Sequence, residues 1–487
     1  MPTGFKDLDD SLAGMQKSNL LILASRPGVG KCVAGDTLII NPDTGECRTI
    51  QSVVLEKKGK VVVLNEKLGL EKATPSVFVD DGKKPVYEIK TALGNRLEAT
   101  AVHPLLTIEG WRKVEELRRG VRIAVPRKLE CFGKKRWEDY RLKSLAYFLG
   151  DGGVTGSVPK FTNNNPIVLA DFCDSVKKFG QVKTKYVKQS PKRFRTPSVM
   201  VKKVDPYKKG SRVDRFNPVT VWLSEFGIMG KLSINKEIPA EIFELKKKNI
   251  GLFLNRLFAC EGSAMVSKGK GVGRISFASS SSKMAEQVKH LLLRFGVLAK
   301  LRSKNVRYKG EIKRAYEVEI LGAEDILMFI REIGIFAKER KLKELEKIAK
   351  RKKTAKNWTK DTLPLEIWKL VLEEKGNLSW RDVYRRMHRP LSHNVHVNKR
   401  QLRRETLKEI AIALNSRKLL HLATSDVYWD RIVSIKPSGT KQVYDLTIGK
   451  LHNFVANDIV VHNTSLALNI AQNLAVKHKR PVGFFSL

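Results

Sequence analysis

Apolar positions along the chain change period several times, and each change predicts a different element. LLILA (20–24) is a short unbroken apolar run of the kind that forms a buried strand, and it leads into a glycine-rich turn ending at Gly30-Lys31. TLII, VVVL, PVYEIKTA and RLEAT follow as β-patterned stretches, with WDRIVSIKP and KQVYDLTI as counterparts late in the chain. Asp81-Gly82 and Gly94-Asn95 supply turn signals between the early strands. After PRKLE (126–130) the pattern becomes mainly helical and very basic. At the far end LALNIAQNLAVKHK has helical spacing and precedes a strand-like VGFFSL.

The two ends complete one another. A P-loop needs a hydroxyl after its lysine and a helix whose N-terminal amides face the phosphates. Here Lys31 is followed by Cys32 and the strand-like VAGDTLII, whereas Thr464-Ser465 and the helical pattern stand at the other end. Joining Lys31 to Thr464 gives ASRPGVGKTSLALNI, a continuous strand–loop–helix unit. With TGFKDLD at the start and FFSL after the helix, the joined ends resemble the ATPase domain of DnaB-family replicative helicases, although Ser25 stands where the motif's first glycine is usual. The resemblance implies ATP and Mg²⁺ binding by Gly28, Gly30, Lys31 and Thr464 after joining, in a complete host that forms a homo-hexamer. No Walker B acid follows, so helicase activity is not expected of this chain alone.

The inserted residues 32–463 begin with a thiol and end with His462-Asn463, and Thr464 lies beyond. A thiol can convert the preceding amide to a thioester, a hydroxyl can then accept the acyl group, and an asparagine amide can cleave the chain at its own carbonyl. Four blocks accompany these residues in order: CVAGDTLI, GNRLEATAVHPLLT (94–107), VYDLTIGKLHNFVAN (443–457) and IVVHN (459–463). Together they resemble an intein of the type found within DnaB helicases. The resemblance implies that Cys32 and Thr464 are the successive nucleophiles and that Asn463 cyclises with help from His462. It assigns Thr100 and His103 to activating the Lys31–Cys32 peptide and protonating its leaving amine, and Asp445 and His452 to coupling the two cleavages. The alternative left open is a DNA-binding or nuclease protein with a splicing-defective Hint domain. A hedgehog-type autoprocessing domain shares the first cysteine but has no use for His462-Asn463-Thr464.

The middle repeats itself. SLAYFLGDGG (144–153) corresponds to LNRLFACEGSA (254–264), and FTNNNPIVLADFCDSVKKFG (161–180) to FASSSSKMAEQVKHLLLRFG (277–296). The pair resembles LAGLIDADG homing endonucleases, with Leu149 where an acid is usual and Glu261 in place of aspartate. That family places one carboxylate from each helix at a shared end, so Asp151 and Glu261 are the expected Mg²⁺ ligands and catalytic groups for cutting DNA.

Composition agrees with a nucleic-acid partner. The 487 residues carry 92 Lys+Arg against 50 Asp+Glu, a net charge of +42 that favours a phosphate backbone. The expected target is double-stranded DNA at an intein-less helicase gene site. KTKYVKQSPKRFR (183–195) and KLRSKNVRYKGEIKRAY (300–316) are candidate phosphate-tracking stretches. Residues 351–420 read as short basic helices, either a helix-turn-helix DNA binder or a plain spacer. Five scattered cysteines without a C-x-x-C argue against a disulfide framework or zinc knuckle. No apolar run approaches the roughly 20 residues of a membrane span, and no leader pattern opens the sequence, so a cytoplasmic, membrane-free protein is expected.

The expected architecture is multidomain. Helicase fragments of a RecA-like α/β ATPase occupy 1–31 and 464–487. An all-β Hint splicing domain is built from 32–135 and 423–463. An α+β LAGLIDADG endonuclease with internal duplication covers 136–346, and a basic helical subdomain covers 347–422.

Overall fold

The computed structural model describes residue 10 and residues 30–463, apart from 188–195, 205–216, 267–272, 309, 355–360 and 391–396. The expected strand 20–24, Gly28, and everything from Thr464 onward lie outside the described residues, as does the basic stretch 188–195.

Two sheets are woven from both ends of the described chain. One has the order Val33–Ala34, Arg96–Ala99, Val77–Thr91, Val427–Thr447, Arg122–Pro126. The other runs Cys47–Thr49, Leu38–Ile40, Asn453–Ala456, Ile459–His462, Pro104–Thr107, Gly110–Lys113. Their inward side chains meet in one core that includes Val33, Ile89, Leu97, Ile123, Leu446, Phe454 and Val461. The other face is covered in part as well: Asn453–Ala456 and Pro104–Thr107 are buried at every position, and Val455 and Val460 join a second cluster.

Two expectations are corrected here. The stretches WDRIVSIKP and KQVYDLTI are one strand, Val427–Thr447, antiparallel to Val77–Thr91 along most of its length. Asp81-Gly82 is not a turn between strands but lies inside Val77–Thr91. Gly82 takes φ +72° and the register slips between the Gln442 and Tyr444 pairings, so the extra residue is absorbed as a bulge and the strand continues. A strand of 21 residues is far beyond the usual length; such bulges let it bend around the core. The short helix Ile50–Glu56, capped by the Thr49 side chain, was not legible as a period.

The repeated middle folds as two copies of one plan. Helix Asp139–Asp151 leads into strands Gly152–Gly153 and Lys160–Thr162, helix Pro166–Lys177, and strands Val182–Tyr186 and Ser198–Lys203. Helix Lys247–Glu261 leads into Gly262–Val266 and Gly273–Ser279, helix Ser282–Arg294, and strands Lys300–Tyr308 and Glu311–Ile320. Both four-stranded sheets have the order first, second, fourth, third. Their shared core buries Phe148, Phe161, Phe172, Phe253, Phe258 and Phe277 completely.

Helices Ile367–Lys375, Trp380–Arg386, Arg404–Ala413 and Arg417–Thr424 pack Leu363, Trp368, Val371 and Leu407 in one cluster with Trp429, Val455 and Val460 of the sheets. The expected boundaries before 347 and 423 both fall inside helices, Glu339–Thr354 and Arg417–Thr424. The first of these helices contributes Leu342, Leu345 and Ala349 to the core of the duplicated unit, so the helix runs on past the point where the composition shifts.

Candidate functional site

The two junctions meet on one short piece of backbone. Val33 pairs with Tyr444 on one side and Ala99 on the other, which buries Cys32 between the strands. From the opposite end, the Asn463 side-chain nitrogen donates to the Leu446 carbonyl at 2.6 Å. Residues 444–446 therefore touch both ends of the insertion, and Asp445 lies between the two contacts.

Around the first junction, the Cys32 backbone N–H donates to the Thr100 hydroxyl at 3.3 Å, and that hydroxyl donates to the Gly30 carbonyl at 2.8 Å. Thr100 thus holds the nitrogen of the Lys31–Cys32 peptide, the atom that must leave. His103 is fully buried three residues on. Burial holds its pKa down at about 3; the Lys31 backbone beside the ring acts in the opposite direction, and His462 and the Lys31 charge reinforce the lowering. The imidazole is consequently neutral at pH 7.

The Cys32 thiol donates to the Asp81 carboxylate at 3.1 Å, and Lys84 pairs with the same carboxylate. Burial pushes the thiol well above its ordinary range, and the negative charges of Asp445 and Asp81 add to the effect. Asp445 is buried and lifted well above the usual carboxylate range, chiefly by burial, with Asp81 adding to it against the backbone N–H of Leu446 and the charge of Lys31. The resting pocket is therefore a protonated thiol held by a base. Asp81 and Lys84 were missed in the sequence because the Asp-Gly pair reads as a turn.

At the second junction Asn463 is fully buried, and its backbone N–H donates to the His452 carbonyl at 2.9 Å. Its side-chain oxygen has no hydrogen-bond partner among the described residues. His462 sits edge-on to Trp111 at 4.6 Å, with the His452 ring 6.5 Å away. Burial, then the charges of Lys31 and His452, hold the His462 pKa at about 4. His452 adopts φ +49°, which swings the chain so that its carbonyl meets Asn463.

Comparison with known proteins adds to this geometry. The intein splicing domain family matches residues 39–463. The chain belongs to the intein family. The DnaB-like helicase C-terminal domain matches residues 1–64, so this intein stands in a helicase sequence of that kind. The replicative DNA helicase DnaB of Synechocystis sp. is 32% identical over 441 residues, covering 89% of this chain and 49% of that protein. The DnaB helicase of Rhodothermus marinus is 33% identical over 450 residues, covering 89% and 46%. The chain thus spans about half the length of the curated relatives it matches. A crystal structure of an Ssp DnaB mini-intein variant aligns with 89% of the chain and 99% of its own, at 16% identity and a TM-score of 0.29.

Within the duplicated unit of this intein, the helices Asp139–Asp151 and Lys247–Glu261 approach closely at their C-terminal ends. A Cβ on Gly150 would come within 2.6 Å of the Cys260 Cβ, so only glycine permits the contact. Asp151 and Glu261 emerge beside one another there. Burial raises the Asp151 pKa, against the pull of Asn163, Cys260 and two lysines; burial and then Asp151 lift Glu261 to about 7. Asn163 donates to Asp151 at 2.7 Å.

Two lysines that the sequence could not single out occupy matching places. Buried Lys236 donates to the carbonyls of Phe148 and Gly152 at 2.7 Å, and Lys338 to those of Ala259 (3.1 Å) and Gly262. Each lysine caps the end of one acid-bearing helix, where free carbonyls accumulate negative charge. Burial holds Lys236 down at about 8 and lowers Lys338, while the neighbouring carboxylates act upward.

Proposed function

We propose that the chain excises residues 32–463 and joins Lys31 to Thr464. Asp81 accepts the thiol proton as the Cys32 sulfur attacks the Lys31 carbonyl carbon; the carbon–nitrogen bond breaks, and a neutral His103 governs proton delivery to the amine that Thr100 holds. The Thr464 hydroxyl then attacks the thioester and releases the Cys32 thiolate. The Asn463 side-chain nitrogen attacks its own carbonyl carbon, freeing the Thr464 amine and leaving a succinimide. That amine takes the acyl group from the adjacent oxygen to give the amide. His462, neutral near pH 7, and His452 stand where that cyclisation occurs.

The convergence of both junctions on residues 444–446 carries this reading, because it lets acyl transfer and cyclisation share one set of groups. Weighing the products of the purified chain beside Cys32→Ala and Asn463→Ala variants tests it. Excised insertion and ligated flanks should form only from the unsubstituted chain. An intact, folded chain at every temperature and reductant tried would overturn the reading.

A second proposal concerns the duplicated unit, supported by its pseudo-twofold plan and paired carboxylates. Asp151 and Glu261 suit Mg²⁺: two buried acids with raised pKa values form an oxygen donor set that lacks sufficient positive charge. When bound, Mg²⁺ would supply Lewis acidity and an acidified water for phosphodiester cleavage. Lys236 and Lys338 hold the helix ends and place positive charge beside the acids. The double-stranded DNA target, at the uninterrupted helicase gene, would lie against basic strands such as Lys300–Tyr308. Nicking of a plasmid carrying that site should require Mg²⁺ and disappear in Asp151→Asn; cutting that persists would refute the assignment. ATP use and hexamer formation are proposed for the complete host after splicing, and a cytoplasmic location suits the free thiol that the first step needs.

A further inference from the structure

Where the two sheets meet the duplicated unit there is a cavity of about 530 Å³, lined by both. Cys47 and Asp458 reach its wall from the sheets, and His290 reaches it from helix Ser282–Arg294. The Cys47 sulfur lies 3.5 Å from His290 Nε2, and His290 Nδ1 lies 2.8 Å from the Asp458 carboxylate. Arg294, one turn on and fully buried, donates from Nη2 to the same sulfur at 3.1 Å.

The other Arg294 donors are also occupied. Its Nη nitrogens reach the carbonyls of Gly45, Phe243 and Cys131, so one guanidinium stitches three segments around the thiol, and Arg294 Nε lies 3.0 Å from His290 Nε2. Burial pushes the Cys47 thiol up, but the charges of His290 and Arg294 more than offset it, and its pKa falls below the ordinary value. Burial and Arg294 act to lower His290, yet the negative charges of Asp458 and Cys47 raise it to about 9. Burial acts upward on Asp458, but His290, with help from Lys289 and Arg294, holds it at about 2.

None of these four groups takes part in splicing or in DNA cleavage as proposed above. We propose that Cys47 is a modification site for small organic disulfides, and that its modification releases the Arg294–His290–Asp458 latch joining the splicing and endonuclease halves. The Cys47 thiolate attacks one sulfur of the disulfide; a new sulfur–sulfur bond forms, and the other half leaves as a thiolate. The adduct neutralises the anion that Arg294 faces and adds bulk beside the His290 ring. Asp458 lies in the turn between Asn453–Ala456 and the strand ending at His462, so the freed latch bears directly on the second junction.

Oxidised glutathione is the probe, added in limiting amount to the full chain carrying Cys32→Ala, with the adducts mapped by peptide mass spectrometry. Cys173, in the first copy of the duplicated unit, serves as internal control, since burial holds its thiol protonated. Cys47 should react at least about tenfold faster than Cys173, reflecting its larger thiolate fraction. Equal or inverted rates, or labelling of Cys47 only after addition of urea, would overturn the proposal. His290→Gln, checked for folding by its melting curve, should slow labelling of Cys47; an unchanged rate in a folded variant contradicts the pairing. Hydrogen exchange should rise in 282–294 and 453–462 of the adduct, and unchanged exchange there refutes release of the latch. Neither labelling nor exchange requires the chain to splice.

Discussion

The Asn463 side-chain nitrogen lies 2.6 Å from the Leu446 carbonyl oxygen, two residues along the strand from the point where Tyr444 pairs with Val33. The nitrogen that must attack in cyclisation is thus engaged by the same strand that pairs beside Cys32, and Asp445 lies between the two contacts.

Asp81→Asn should slow the first step selectively. Thiol-induced cleavage at Lys31–Cys32, followed by gel or mass spectrometry, should fall about 100-fold, the usual scale for removing a positioned base. Cleavage after Asn463 should change much less. Equal losses at both junctions would mean that Asp81 acts on the fold and not on the thiol.

Asn463→Ala should trap the chain before its last cleavage. A branched or thioester species, released by hydroxylamine, should accumulate in place of ligated product.

Glu261 gives a prediction with a definite sign. Its folded pKa of about 7 exceeds the ordinary carboxylate value of 4.5, so the folded state binds the extra proton between these limits. Stability thus falls as pH rises through that window and levels off above about pH 7. Glu261→Gln should melt at a higher temperature than the parent at pH 8, and the difference should vanish near pH 4. Nicking by the unsubstituted protein should instead rise through pH 7, as the carboxylate ionises.

Lys236→Met removes the donor that satisfies the end of helix Asp139–Asp151. Leaving buried carbonyls unpaired costs about 1–3 kcal/mol each, so the duplicated unit should melt lower and the proposed nicking should fail. Rescue of stability but not nicking by Lys236→Arg would separate capping from chemistry.

Cys32 and Asn463 stand out in the sequence as the edges of one interrupted motif, and both lie against residues 444–446, whereas Thr464 lies outside the described residues. The duplicated unit was legible from its repeat, and the matching strand orders follow it. Asp81 was hidden because Asp-Gly is a turn signal, and only long-range pairing with Val427–Thr447 turns that signal into a bulge. Lys236 and Lys338 are two among 92 basic residues; what distinguishes them is burial against helix ends, which periodicity does not report. Cys47, His290 and Asp458 are too distant in sequence for any local spacing to connect them.

The strands Val77–Thr91 and Val427–Thr447 form most of their ladder with each other, although some 340 residues separate them. Edges of that length recognise one another without a covalent tether. Pieces made separately, one ending near residue 135 and one beginning near 423, should therefore find each other in solution and rebuild the working junction, so long as neither exposed edge aggregates first.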